Sequence, residues 1–266
     1  MTSASAATNG LPASAPPLAG RVALVTGAGS GIGRAAALAY AAKGAAVALV
    51  GRREALLLEV VAEIEAKGGS AAAFAADVAD ETAIRGLISD VVARFGRLDI
   101  AFNNAGTSSY GLIEQASSAE FDRVFATNVR GVWLLLREEI AAMRAAGRGG
   151  AIVNTSSIAA TGGTAGLSIY APSKAALDAM TRVLAIEIGR DGIRINNVSP
   201  GLTRTPMNDG LPDVMFEQVA AHSALGRIAT PEEIADAAVW LSGDEARFVT
   251  GQDLLVDGGF NIAGWR

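Results

Sequence analysis

Tyr170 and Lys174 stand four residues apart, in Tyr170-Ala171-Pro172-Ser173-Lys174. On a helix such a pair shares one face, with Cβ atoms about 5–6 Å apart. A free phenol titrates near ~10 and is a poor acid or base at neutral pH. An ammonium beside it favours the phenolate, and a depression of ~3 units corresponds to about 4 kcal/mol of differential interaction. The pair is therefore a candidate proton donor or acceptor for a carbonyl oxygen. Taken alone, the spacing describes an exposed helix pair just as well. Two further residues bear on it. Ser157 follows a predicted strand and is placed to hydrogen-bond the same oxygen. Asn128, in Thr127-Asn128-Val129 on a predicted helix, is a candidate to hold a water for proton relay. Each by itself reads equally well as a loop or cap residue.

A second chemical feature lies in Thr26-Gly27-Ala28-Gly29-Ser30-Gly31-Ile32-Gly33, between a predicted strand and a predicted helix. Glycines there permit a tight turn, backbone contact with a pyrophosphate and close helix–strand packing. The helix start adds N–H donors and a positive dipole end for an anion. The strict G-x-G-x-x-G template is missed, and T-G-x-x-x-G-x-G is what fits. About 20 residues on, the next strand ends in Gly51-Arg52-Arg53, with no acid until Glu54. In such units an acid at this strand end takes the ribose hydroxyls of NAD, whereas an arginine suits a 2′-phosphate. Arg52 and Arg53 therefore favour NADP(H), with NAD(H) the alternative.

Composition narrows the chemistry. With 0 Cys and 1 His in 266 residues, thiolate metal sites, disulfides, a Cys nucleophile and a His cluster are all excluded. No metal is expected. A formal net charge of -5 argues against nucleic acid as a partner. The 31 glycines exceed the roughly 19 that ordinary usage of ~7% gives, which suits many tight turns or close backbone approaches to a ligand. The absence of cysteine fits a reducing, cytoplasmic setting.

The elements that must position these residues follow from hydrophobic patterning. Predicted strands are 21–26, 45–50, 70–75, 98–102, 150–155, 193–198 and 253–256. Predicted helices are 32–43, 53–67, 80–95, 117–146, 169–188 and 231–242. The strand runs are too apolar and unalternating for a sheet with one wet face. Strand–helix alternation of this kind predicts an α/β domain, a doubly wound parallel sheet of Rossmann type, with ligands outside the carboxyl ends of the strands. Residues 1–17 read as a flexible tail and 18–266 as the single domain. The segment 202–225 breaks the rhythm and reads as a small substrate lid with an apolar inner face. No membrane segment is expected: the long uncharged stretch from Gly149 to Ser173 carries Asn154, Thr155, Ser156, Ser157 and Pro172, costly in lipid.

Together these motifs resemble the short-chain dehydrogenase/reductase family, over about 20–260 and in the family's order. The resemblance assigns Asn128, Ser157, Tyr170 and Lys174 to a catalytic tetrad: Tyr170 moves the proton, Ser157 polarises the carbonyl or hydroxyl, and Asn128 supports the relay. Lys174 then holds the nicotinamide ribose hydroxyls and lowers the Tyr170 pKa. It also implies that Asp77 and Val78 contact adenine. Asn104, Ala105 and Gly106, in Asn103-Asn104-Ala105-Gly106, resemble the family's turn after the fourth strand. Pro200, Gly201, Thr203 and Thr205 resemble its nicotinamide-side loop. One departure is Pro172, where the family usually carries a helix former. Pro is tolerated in a first turn, so the helix is expected to begin near Ser168.

The function so implied is hydride transfer between NADP(H) and the carbonyl or secondary alcohol of a small or medium apolar substrate. Small residues after Ser157 (Ala159, Ala160, Gly162, Gly163) leave room for a bulky ketone, while His222, on the lid, reads as a solvent-facing residue. A second reading is a 3-oxoacyl-(acyl-carrier-protein) reductase. An acidic carrier protein then needs a basic patch, for which Arg130, Arg137 and Arg194 are candidates. A third, non-enzymatic reading is a cofactor-binding sensor or scaffold, against which the Tyr–Lys pair argues. Family members pair through the helices predicted at 117–146 and 169–188, so a homodimer or homotetramer is expected.

Overall fold

The computed structural model describes residues 15–262. Residues 1–14 of the expected tail, and 263–266, lie outside the described residues. Seven strands form one sheet: β1 Val22–Thr26, β2 Ala46–Gly51, β3 Ser70–Ala75, β4 Ile100–Asn103, β5 Gly150–Thr155, β6 Ile193–Pro200 and β7 Asp253–Val256. All neighbours are parallel, in the order β3-β2-β1-β4-β5-β6-β7. The helices, in chain order, are α1 Gly31–Ala42, α2 Glu54–Ala66, α3 Glu81–Phe95, α4 Ser118–Phe125, α5 Val132–Ala146, α6 Tyr170–Ile188, α7 Asp213–His222 and α8 Pro231–Ser242.

The sheet is covered on both faces, which is why its strands are apolar throughout. Successive β1 residues point to opposite sides. Ala23 and Val25 pack with Tyr40 of α1, Leu57 and Ile64 of α2, and Ile234 of α8. Val22 and Leu24 pack with Ile84 of α3, Leu134 of α5 and Leu177 of α6. Helix ends follow local chemistry. The Asp80 carboxylate accepts the N–H groups of Thr82 and Ala83 at the start of α3, and Gly96 ends it at φ 81°. Thr230, Pro231 and Glu233 begin α8 with a capping box, as their order predicts.

Two segments differ from their sequence pattern. The helix predicted over 117–146 is interrupted by a π turn, Ala126–Gly131, between α4 and α5. Its last residue packs against the connection between β3 and α3: a Cβ on Gly131 would lie 2.7 Å from the Val78 carbonyl oxygen. The segment at 202–225 forms a short 3₁₀ turn, Pro206–Asn208, followed by α7, none of whose residues is fully buried. Among the described residues, no helix is long and apolar enough to cross a membrane.

Candidate active site

Because every strand is parallel, every strand ends at the same edge of the sheet, and the singled-out residues gather there. Gly27, Arg52, Asn104 and Gly201 each follow the last residue of a strand by one position, and Asp77 and Ser157 by two. The strand order reverses between β1 and β4, which opens a crevice at this edge.

The glycine turn forms one wall. Gly27 and Gly31 have φ of 68° and 52°, which L side chains rarely adopt. A Cβ on Gly33 would lie 2.3 Å from the Gly27 carbonyl oxygen, so the turn closes only around glycine. Ser30 precedes α1 without a side-chain cap, and the first turn contains no acid. Free N–H donors at a helix start with no competing carboxylate suit a phosphate. Ile32 is the second residue of that helix. Arg53 donates to Ser30 Oγ at 3.3 Å, which brings a guanidinium onto the turn. Arg52 lies 3.9 Å from Asp77, both exposed. The opposite wall comes from the segment after β6: Thr205 side-chain carbons lie 3.3 Å from where a Gly31 Cβ would be. Thr203 is buried and donates to the Gly201 carbonyl, while Gly201 N–H bonds Val256 O at 3.0 Å beyond Pro200.

The turn after β4 forms the floor. Thr26 Oγ1 accepts the N–H groups of both Asn104 and Ala105 at 3.0 Å, and Asn104 Nδ2 donates to Thr26 O. Gly106 comes next, and a Cβ there would meet Asn128 Oδ1 and Lys174 Nζ, each at 3.4 Å. This residue lies between the crevice floor and the polar group above it.

That polar group stands on α6 and the π turn. Pro172 is the third residue of α6, within the first turn as expected, and the helix starts at Tyr170, two residues past the expected start. Lys174 Nζ lies 5.8 Å from the centroid of the Tyr170 ring and donates to Thr155 O at 2.7 Å, at the end of β5. Ser157 caps a short 3₁₀ turn, its Oγ accepting the Ala159 N–H at 3.1 Å. Asn128 is fully buried: its Oδ1 accepts the Thr107 N–H, while its Nδ2 donates to Thr107 O and Ser173 Oγ. Its amide thus clamps the loop after β4 to α6, so any water reaches only its remaining acceptor positions.

The electrostatics differ from the sequence expectation. Desolvation pushes the half-buried Tyr170 phenol above its usual range, and a hydrogen bond with Ser157 pulls it partly back. The Lys174 ammonium is itself desolvated and its pKa falls to about 8, held from falling further by the Asp178 charge. At neutral pH the phenol therefore carries its proton.

Other expectations are also corrected. Arg194 cannot join a basic patch: it is part-buried and donates to the carbonyls of Leu241, Gly243 and Val249. Arg130 and Arg137 both approach Glu81, at 2.7 and 3.6 Å. The room expected beside Gly162 is filled by Asn261, 2.9 Å from where its Cβ would be. His222, at the end of α7, is exposed, as its solvent-facing reading has it, and packs edge-on against Phe260.

Sequence reasoning missed a row of buried amides that crosses the sheet beneath this site. Asn103, Asn154, Asn197 and Asp253 are neighbours in register on β4, β5, β6 and β7. Asn103 donates to Asn154 at 3.1 Å, Asn154 to Asn197 at 3.1 Å, and Asn197 to Asp253. At the β4 end, Asn103 also donates to Glu139 of α5, which is wholly buried. The available signal was an amide or acid in each of four strands of a sheet buried on both faces, Asn103, Asn154, Asn197 and Asp253.

Comparison with known proteins decides the family. Residues 27–261 match a family model described as Enoyl-(Acyl carrier protein) reductase. A crystal structure of a short-chain type dehydrogenase/reductase from Mycobacterium marinum superposes with a TM-score of 0.89 at 36% identity, covering 94% of this chain and 98% of that one. The chain belongs to the short-chain dehydrogenase/reductase family. As a member it is an oxidoreductase acting on alcohol or ketone groups with NAD(P)(H). The A-factor type gamma-butyrolactone 1'-reductase (1S-forming) of Streptomyces virginiae is 45% identical over 259 residues, 92% of this chain and 97% of the relative. The 3-oxoacyl-(acyl-carrier-protein) reductase of Thermotoga maritima is 36% identical over 245 residues, 92% of this chain and 99% of the relative.

Proposed function

We propose that this reductase acts with NADP(H) on the carbonyl, or in reverse the secondary alcohol, of a small or medium apolar substrate, with Tyr170 moving the proton. The observation that carries this reading is Tyr170 at the crevice edge, one turn from Lys174, whose Nζ lies 5.8 Å from the phenol ring and donates to Thr155 O at the end of β5. Ser157 polarises the substrate oxygen; Lys174, with only Thr155 O as acceptor among the described residues, has N–H donors for ribose hydroxyls. Asn128 braces the loop that carries Gly106. The cofactor supplies the hydride when bound, and the protein supplies orientation and electrostatics. The cradle suits it: Gly27, Ser30, Gly31, Ile32 and Gly33 for the pyrophosphate, Asp77 and Val78 for adenine, Asn104, Ala105 and Gly106 along the floor. Pro200, Gly201, Thr203 and Thr205 border the nicotinamide side. Arg52 and Arg53 supply the preference for a 2′-phosphate.

The segment 202–225 serves as the lid of the single domain spanning 18–266, in a cytoplasmic protein. A small cavity of about 90 Å³ lies behind it, lined by Leu202, Val219, Leu225, Val256 and Phe260 among others. The 36% identical relative favours a second reading, reduction of a 3-oxoacyl group on a carrier protein, although the expected basic patch is engaged elsewhere. Steady-state kinetics with ethyl acetoacetate and acetoacetyl thioesters, each with NADPH and NADH, tests these readings. NADPH should give the higher kcat/KM, and a ratio below one removes the NADP(H) assignment. Thioesters turned over faster than the ester decide for the second reading. Tyr170→Phe should lose turnover by at least 10²-fold while still binding NADPH; retained turnover removes Tyr170 from its role.

A further inference from the structure

The machinery described so far leaves out Asp178, one turn beyond Lys174 on α6. It is a buried acid whose Oδ1 accepts from Ser156 Oγ at 2.6 Å and from Asn197 Nδ2 at 3.0 Å. Ser156 precedes Ser157, and its hydroxyl also lies 3.4 Å from the Lys174 carbonyl oxygen. Asp178 is thus held by the end of β5 and by β6, at the last step of the amide row. The charged groups around it are few. Asp253 of β7 shares the Asn197 amide with it, Arg182 of α6 lies 3.4 Å from Asp253, and Lys174 is the cation on its own helix face.

We propose that Asp178 is a positioning residue for Lys174: its carboxylate, fixed by Ser156 and Asn197, holds this turn of α6 against the end of β5 and keeps the Lys174 ammonium charged. The inference rests on the reading that Lys174 serves the cofactor and Tyr170. Its physical basis is that a lysine this deeply buried loses its hydration, and a fixed anion is what compensates. Lys174 is drawn down to about 8 even with that anion present. Asp178 is itself raised to about 6, by burial first and by the Asp253 charge. The charged pair therefore exists in a window between these two values. Burial and, after it, the Asp253 charge raise the lower edge of that window, and the Asp178 charge raises the upper.

The chain has three lysines, Lys43, Lys67 and Lys174, so titration can be read directly and without a substrate. The full-length protein is labelled with ¹³C-lysine, and the Lys174 Cε signal, assigned by its loss in Lys174→Met, is followed over pH. In Asp178→Asn the Lys174 midpoint should fall by about one pH unit, a tenfold change in its protonation equilibrium. In Asp178→Glu it should stay near the wild-type value. NADPH binding, titrated by nicotinamide fluorescence, should weaken at a correspondingly lower pH in Asp178→Asn only. Asp253→Asn provides an independent arm: with the neighbouring charge gone, Asp178 ionises at lower pH and the acid side of the NADPH-binding profile moves down. An unchanged Lys174 midpoint in Asp178→Asn overturns the inference, as does binding weakened equally at every pH, which marks a purely structural role. If Tyr170→Phe retains turnover, the reading of the site falls as well. If that variant is inactive and the midpoint is unchanged, the inference alone falls.

Discussion

Glu139 lies wholly inside the protein, with one carboxyl oxygen accepting from Asn103 and the other lacking a partner among the described residues. Burial pushes its pKa up to about 7, and the Asn103 hydrogen bond only partly opposes this. Below the usual carboxylate range the native and unfolded chains both hold this proton, and it has no effect on stability. As pH rises toward 7 the unfolded chain releases the proton first, so the native state loses ground, and above 7 the full cost is present. Glu139→Gln keeps the shape and removes that cost. The variant should be more stable than wild type by about 1–3 kcal/mol at pH 8, with the gain vanishing near pH 4. Thermal unfolding at the two pH values checks this, and a pH-independent difference contradicts it. The residue types of the Tyr170–Lys174 pair were legible from their four-residue spacing. Their protonation was not, because desolvation depends on what packs around them.

Single elements show the same division. The strand–turn–helix at Thr26 to Gly33 was readable because glycine is the residue that accepts a positive φ without penalty, as at Gly27 and Gly31. Gly33 has another reason: its missing side chain leaves room for the Gly27 carbonyl. Gly33→Ala should cost about 1–3 kcal/mol through overpacking and should abolish the rise in Tm expected of the wild type with bound NAD(P)H. Gly86, exposed in α3 with only the Asp90 carboxylate near its Cβ position, at 4.0 Å, is the control. Gly86→Ala should gain about 0.5–1 kcal/mol and leave the NADPH effect intact. Differential scanning fluorimetry with and without NADPH separates the two outcomes. The π turn was not readable. Apolar periodicity runs through 117–146 without a break, and the extra residue per turn is revealed only by what Asn128 and Gly131 pack against.

Across the whole molecule, large apolar side chains remain exposed on the helices expected to pair: Phe121 and Trp133 flank the π turn, and Val183 and Ile186 lie on α6, Ile186 at 85% exposure. Phe248, Leu255 and Trp240 form a second exposed set toward the β7 edge. Exposed apolar area of this extent is what subunit contacts cover. Sedimentation or light scattering at micromolar concentration should give the mass of two or four chains of 27.0 kDa; a single-chain mass contradicts the pairing. The sequence by itself determined the alternation of strands and helices, the glycine turn, and the shared helix face of Tyr170 and Lys174, because each is written in local spacing. Periodicity and turn chemistry act over a few residues and are visible along the chain. Only the tertiary structure decided the amide row from Asn103 to Asp253 and the buried acids Glu139 and Asp178. It also decided the raised phenol of Tyr170. These arise where residues far apart in sequence are brought into a water-free interior, and the cost of burying a charge is set there by the neighbours rather than by the residue.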